Sequence, residues 1–360
     1  MSINLFFTVI MFYLHLEFHN YLMKTLLIGD VHFGCRSNNI SWLELQLEFF
    51  EKQVIPEIES GDYDNVVFLG DVFDIRYSIN EQVGIEVKDL FRKLSCISRE
   101  VIVVAGNHDY YSPLQEFQHY NAYSLVFGPE FVTAHPNLHF ITDAPYFSDG
   151  MLFLPWYWTE DINLFKKAIS QHPSASIVIC HTDLSQWPQE MVSLVSGKTV
   201  YSGHIHYPWS SGNLYNLGAC CAFNFNDVNQ TRCLYVVDDG KITRTIENIV
   251  TPKFKRFYNE EIFTLSGSDF ENSIVQFCIS QSNITSARYK EQIKELKSTY
   301  INSSIKLNIF DDNIELDKLD GMQFNTNIDR YIEQSIPEHL SGKYNIIKEQ
   351  LKEQSTTLNQ

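Results

Sequence analysis

No C-x-x-C pair occurs among the seven cysteines of this chain, Cys35, Cys96, Cys180, Cys220, Cys221, Cys233 and Cys278. Their number is odd, and 360 residues can bury a core without staples. A disulfide scaffold is therefore excluded, a reducing cytosol fits, and Cys180, inside an apolar run, reads as a small core residue. Basic charge is also scarce. Lys and Arg number 27 against 44 Asp and Glu, a net charge of −17. Such a chain does not coat nucleic acid by charge alone, so any DNA binding needs a local basic patch, a metal pair or a partner subunit. Internal repeats and low-complexity tracts are absent. A membrane span is missing too. The apolar start, residues 1–22, lacks a basic n-region and a small-residue cleavage site, and His15, Glu17 and His19 interrupt it. Met23 directly precedes the first strand-like run, so 1–22 reads as an upstream extension, with a membrane anchor as the alternative.

What is present is a 44% apolar, globular composition and an alternation of short and long segments from residue 24 to about 250. Continuous apolar runs at Thr25–Gly29, Asn65–Leu69, Val101–Ala105, Ile177–Cys180 and Thr199–Ser202 predict strands buried on both faces, with further strands at Met151–Leu154 and Cys233–Val237. Between the first two, Leu43, Leu47, Phe50, Val54 and Ile58 keep helical spacing. Between the second and third, Val83, Val87, Leu90, Phe91 and Leu94 do the same. The fold class is α/β, a layered domain over 23–250. Beyond Thr251-Pro252 the signals weaken. A basic-aromatic run, Lys253-Phe254-Lys255-Arg256-Phe257, opens a smaller segment, 251–320, and apolar positions from Ile328 to Leu351 predict a helical pair within 321–360.

The chemistry sits at strand ends. The first strand ends in Asp30-Val31-His32, the second in Gly70-Asp71-Val72-Phe73-Asp74, and the third in Gly106-Asn107-His108-Asp109. The fourth ends in His181 and the fifth in Gly203-His204-Ile205-His206. Alternate residues of an extended segment share a side, and the carboxyl ends of parallel strands share an edge, so these groups converge on one crevice. Singly, each motif has a duller reading. A strand-end Asp is usually a helix cap. Five such ends in one chain are another matter, and five of the twelve histidines occupy them. Oxygen and nitrogen donors without thiolate suit Mn²⁺, Fe or Zn²⁺, and a carboxylate bridging two ions suits phosphoester hydrolysis.

This set, D-x-H, G-D-x-x-D, G-N-H-D, H and G-H-x-H over residues 24–206, resembles the calcineurin-like metallophosphoesterase superfamily. The resemblance implies a β-sandwich flanked by helices, with one metal on Asp30, His32, Asp71 and His206 and the other on Asp71, Asn107, His181 and His204. It makes His108 the group that protonates the leaving oxygen or stabilises charge, oriented by Asp109. Met23 to Gly34, the run Gly70 to Arg76, Leu154-Pro155-Trp156 and Ser202 to His206 are similar to the SbcD-type nuclease subunits of DNA repair, as found in T4-like bacteriophages. For such a protein the family implies a Mn²⁺-dependent 3′→5′ exonuclease on duplex DNA and an endonuclease on single strands, with Mg²⁺ or another divalent ion as a substitute. It implies two ions, a homodimer, an SMC-like ABC ATPase partner gripped by the tail at 321–360, and a DNA-capping domain at 251–320, in the cytoplasm (of the host, if phage-encoded) with no membrane association. Asp74 stands where cellular eukaryotic and archaeal members carry a His that helps position substrate. Lys255 and Arg256 are candidate DNA contacts, and Trp156, Tyr157 and Trp158 are candidates for stacking on bases or, more simply, for packing. The alternative is a calcineurin-like phosphatase or nucleotide pyrophosphatase acting on other phosphoesters.

Overall fold

The β-branched runs form strands as their composition directs. In a computed structural model that describes residues 23–74, 76, 78–112, 119–228, 230–300 and 304–311, the strands are β1 (Lys24–Ile28), β2 (Asn65–Phe68), β3 (Glu100–Val104), β4 (Leu138–Ile141), β5 (Tyr146–Ser148), β6 (Met151–Leu154), β7 (Ile177–His181), β8 (Thr199–Gly203), β9 (Trp209–Ser211), β10 (Leu214–Asn216), β11 (Cys233–Asp238), β12 (Lys241–Glu247), β13 (Lys253–Tyr258), β14 (Ser273–Ser280) and β15 (Ser304–Phe310). The upstream extension and the helical tail expected at 321–360 lie outside the described residues.

Two six-stranded sheets carry the motifs. One runs β12-β11-β1-β2-β3-β4 and the other β5-β6-β7-β8-β10-β9. The five motif-bearing strands are thus divided three and two between two sheets, whereas a single parallel edge was the simpler expectation. Within each sheet the register aligns the strand ends. Ile28 pairs Phe68, Phe68 pairs Val103, and His181 pairs Gly203, all in parallel. The sheets share a core that includes Leu27, Val67, Ile102, Val104, Phe153, Ile179 and Tyr201, so their carboxyl ends open beside one another.

Helices cover the outer faces. Glu81–Ile97 buries Val83, Val87, Leu90, Phe91 and Leu94, the residues whose spacing predicted it, and Asn80 caps it by accepting from Gln82 N. The other predicted helix is Ile40–Phe49 continued through a π-turn, Phe50–Val54, into Ile55–Gly61. The wider turn shifts the helical phase. Trp42, Gln46 and Phe49 therefore join Leu43 on the buried face, and Leu47 is only half-buried. Over the second sheet, Ile162–Gln171 and Gln189–Leu194 close a separate core around Phe165, Trp187 and Met191. All seven cysteines are free, and Cys180 is buried as expected. No helix among the described residues is long and apolar enough to cross a membrane.

The chain divides into two compact units. One runs as far as Arg256 and takes in Leu265–Gln276 and Tyr300–Lys306; the other holds Phe257–Thr264, Phe277–Thr299 and the chain from Leu307. Strands β13, β14 and β15 form a third sheet. In the second unit, helix Ala287–Thr299 buries Tyr289, Ile293 and Leu296; Tyr289 packs edge-on against Phe263 and donates to Glu260 Oε1 at 2.7 Å.

Candidate active site

Each candidate ligand is held by backbone built for it. Asp30 is fully buried and accepts from His204 N at 3.1 Å on both carboxylate oxygens, which ties the first motif to the last. Gln46, buried under the first motif, donates to Val31 O at 2.5 Å. His32, Asp71 and His204 have positive φ, 52°, 48° and 81°. Left-handed backbone is disfavoured for such residues and persists where surroundings enforce it, commonly at functional sites. Gly70 explains one enforcement. Its φ is 107°, and a Cβ there would stand 2.3 Å from His181 Nδ1.

The side chains form two adjoining clusters. In one, His32 Nε2 lies 3.2 Å from His206 Nε2, and His206 Nε2 lies 3.8 Å from Asp30 Oδ2. In the other, Asn107 Oδ1 lies 3.0 Å from His181 Nε2 and 2.9 Å from His204 Nδ1, and His181 Nε2 lies 3.3 Å from Asp71 Oδ1. Asp71 belongs to both, since its Oδ2 is 3.6 Å from His32 Nε2. Together, Asp30, His32 and His206 make one possible ion-holding group, and Asp71, His181 and His204 another.

The donor set fits a cation. His181 Nδ1 is 2.8 Å from the Leu69 carbonyl oxygen, so that nitrogen carries a proton and donates it. Its Nε2 faces the Asn107 and Asp71 oxygens, an arrangement that is favourable only with a positive charge between them, a proton on Nε2 or a cation in its place. Donors at right angles around an ion with bonds of ~2.1 Å are roughly 3 Å apart, the spacing seen here. Electrostatics agree. Burial alone would lower His181, but the Asp71 and Asp30 carboxylates override it and raise the imidazole to about 9. Burial alone would raise Asp71, but the imidazoles of His181, His32 and His108 hold it far below the usual carboxylate range. The field that attracts a proton to this pocket also attracts a divalent ion.

Comparison with known sequences settles the lineage: the sequence profile of the calcineurin-like phosphoesterases matches residues 23–208, just over half of the chain. The chain belongs to the calcineurin-like phosphoesterase family. As a member it is a metal-dependent phosphodiesterase, with divalent ions implied by the fold. It is also similar to exonuclease subunit 1 of Enterobacteria phage T4, with 23% identity over 326 residues that cover 86% of this chain and 92% of the phage protein.

The phosphoesterase places His108 beside these clusters, with its N–H donating to Asp71 Oδ1 at 2.8 Å and its Nδ1 to the Asp74 carbonyl oxygen at 2.6 Å. That corrects one expectation. Asp109 does not orient the His108 ring; it accepts instead from Phe73 N (3.1 Å), Gly106 N (2.9 Å) and Tyr123 Oη (2.7 Å), tying two ligand loops together. The reason is directional: neighbours in the tight Asn107–Asp109 turn point apart. Burial and the nearby Asp71 push Asp109 up to about 7. Asp74, whose role the sequence left open, sits with Oδ1 3.3 Å from His32 Nδ1, though outside hydrogen-bond geometry, and its carbonyl is what holds His108.

Lys255 donates to Ser268 O at 3.0 Å; Arg256 Nε donates to Gln276 Oε1 at 3.0 Å and its guanidinium to Phe225 O at 2.8 Å. Tyr157 is buried and donates to Ser112 O, a packing role. Four histidines away from the motifs pack on rings: His119 is tilted against Tyr120, while His135 stacks on Phe131, His139 on Tyr146 and His172 on Phe147. Sequence reasoning missed Tyr123 and the buried pair Asp227–Arg232, whose atoms are 2.8 Å apart. Arg232 donates to the His206 carbonyl, and Asp227 Oδ1 lies 3.8 Å from His206 Nδ1. Neither residue ends an apolar strand, so no local pattern marks them.

Proposed function

We propose that this phosphoesterase is a Mn²⁺-dependent DNA nuclease, a 3′→5′ exonuclease on duplexes and an endonuclease on single strands, working by two-metal hydrolysis of phosphodiesters. One observation carries the two-metal part: Asp71 turns Oδ1 toward His181 at 3.3 Å and Oδ2 toward His32 at 3.6 Å, as a bridging carboxylate must. Asp30, His32, Asp71 and His206 would hold one ion, and Asp71, Asn107, His181 and His204 the other. When bound, the pair supplies positive charge against the phosphate oxygens and lowers the pKa of the attacking water. The protein's own contribution is positional. With Nδ1 committed to the Asp74 carbonyl, His108 keeps Nε2 to hold the proton that the leaving oxygen takes. Asp109 fixes the loops that carry Asn107 and Phe73.

A nucleic-acid substrate and membership of a complex are supported by the likeness to the phage exonuclease subunit; DNA and an SMC-like ATPase partner follow from the resemblance of Met23 to Gly34 and Gly70 to Arg76 to SbcD-type subunits. In this reading residues 251–320 cap the DNA and 321–360 dock the ATPase. A homodimer is part of what the resemblance to SbcD-type subunits implies. The test uses the full chain on linear duplex and single-stranded DNA, with Mn²⁺ or with EDTA, beside para-nitrophenyl phosphate. Cleavage that needs Mn²⁺, lost in Asp30→Ala and in His108→Ala while His108→Ala still binds metal, supports the proposal. Turnover of the small ester with DNA left intact, with and without the ATPase, points to a phosphatase or nucleotide pyrophosphatase instead.

A further inference from the structure

Directly after the first motif the backbone does something costly. Gly34, Arg36, Ser37 and Asn38 all have positive φ, 87°, 58°, 61° and 57°. Glycine accepts this readily, whereas arginine and serine do not. The result is an exposed Arg36 whose guanidinium lies 4.4 Å from the centre of the Trp42 ring and 5.4 Å from that of Phe254. Trp42 and Phe254 are buried, so the charge rests on a rigid apolar floor. The floor continues. Phe254 meets Phe225 edge-on at 5.0 Å, and Lys306, also exposed, lies 5.8 Å from the Phe225 ring centre.

In a chain of charge −17, several arginines are neutralised by an acidic neighbour. Arg92, Arg99, Arg232, Arg244 and Arg288 are all in ion pairs. Among the described residues Arg36 and Lys306 have none, and both lie against aromatic rings instead. The strip also leads to the ligand clusters. Arg36 is four residues from His32, a chain reach of at most ~14 Å. At the other side Phe223, two residues before Phe225, packs against His32 at 5.0 Å and His206 at 5.2 Å.

We propose that this strip is a phosphate-binding subsite, with the Arg36 guanidinium gripping the sugar-phosphate backbone of a DNA strand whose scissile bond lies at the His32 and Asp71 clusters, and Lys306 adding a second, weaker contact. The proposal rests on the nuclease reading. A planar fork already stacked on aromatic rings loses little freedom when it takes a phosphate, and it presents paired donors in the right geometry. With strand rise at 3.4 Å per nucleotide, that ~14 Å limit puts the grip within roughly four nucleotides of the cleaved bond. A dinucleotide has a single phosphate, the scissile one, and so offers none to Arg36, whereas a twelve-mer spans the strip.

The experiment compares the full-length wild type, Arg36→Asn and Lys306→Gln on a single-stranded dinucleotide and a twelve-nucleotide oligomer, with Mn²⁺, at several salt concentrations. Asn tolerates left-handed backbone, so the first variant removes the charge without refolding the loop. Arg36→Asn should lower the preference for the twelve-mer over the dinucleotide by roughly five- to tenfold, mostly through KM. It should also reduce the slope of log KM against log salt by about one. Lys306→Gln should do the same more weakly. Equal losses on both lengths, or an unchanged preference and salt slope in both variants, would overturn the subsite. A wild type that hydrolyses para-nitrophenyl phosphate but neither oligonucleotide removes the nuclease reading itself, a different failure.

Discussion

Replacing Gly70 by alanine tests whether the backbone of the second motif holds His181 in place. The new Cβ would stand 2.3 Å from His181 Nδ1 and 3.0 Å from Gly106 Cα, at a φ of 107°. Strain from that φ costs roughly 1–2 kcal/mol. The ring must also retreat by about 1 Å to reach ordinary contact, which breaks its hydrogen bond to Leu69 O and leaves buried polar groups unpaired, a further ~1–3 kcal/mol. The expected stability loss is therefore ~2–5 kcal/mol, and a ligand displaced by 1 Å should cost on the order of 100-fold in turnover. Gly197→Ala is the control, because Gly197 also has a left-handed φ, 81°, with nothing within 4 Å of an added Cβ. It should lose ~1 kcal/mol and keep its activity. Urea unfolding without metal gives the stabilities, calorimetric titration with Mn²⁺ the affinities, and para-nitrophenyl phosphate the turnover. Should Gly70→Ala bind Mn²⁺ and turn over within threefold of Gly197→Ala, His181 is not a ligand positioned by this glycine.

Removing the buried Arg232 cation by Arg232→Met leaves Asp227 uncompensated and should cost ~3–5 kcal/mol, with much of it restored in the double variant with Asp227→Asn; a small single-variant effect in thermal unfolding counts against a tight pair. Metal uptake should release protons, because His181 in the metal-free protein is raised to about 9 and a ligand must give up its proton. Mn²⁺ affinity should rise as pH goes from 6.5 toward 9 and then level, which calorimetry in buffers of different ionisation heat would show. The same raised imidazole stabilises the metal-free fold below pH 6.5, a contribution lost as pH rises through about 9, so melting of the metal-free protein should fall over that window. Tyr123→Phe removes a donor to the buried Asp109 Oδ2 and should destabilise by ~1–2 kcal/mol; an unchanged melting temperature would show that bond to be idle.

Much of this was written along the chain. The helix Glu81–Ile97 buries the five residues whose spacing announced it, and β1, β2, β3, β7 and β8 fall on the runs read as buried strands. Local chemistry explains why: a continuous apolar run flanked by glycine and polar residues has few ways to hide except as a buried strand. Sequence order alone also singled out Asp30, His32, Asp71, Asn107, His108, His181, His204 and His206, because polar residues at the end of an apolar strand are anomalous one by one and improbable together; which of them hold metal is what the family resemblance implies. The side-chain geometry was not legible. That Asp109 serves Phe73, Gly106 and Tyr123, and that the Asp74 carbonyl holds His108, depends on which direction each residue of a tight turn points.

By itself, then, the sequence determined the α/β class, the strands and the residue types that meet at their ends, since periodicity and local polarity are properties of neighbours along the chain. Only the tertiary structure decided how the strand ends are shared between the two sheets, that Asp71 faces both clusters, that Asp227 and Arg232 stand behind His206, and that Arg36 rests on Trp42 and Phe254. These are contacts between segments that can lie more than two hundred residues apart, as Arg36 and Phe254 do, and register and burial, which no local pattern encodes, select them.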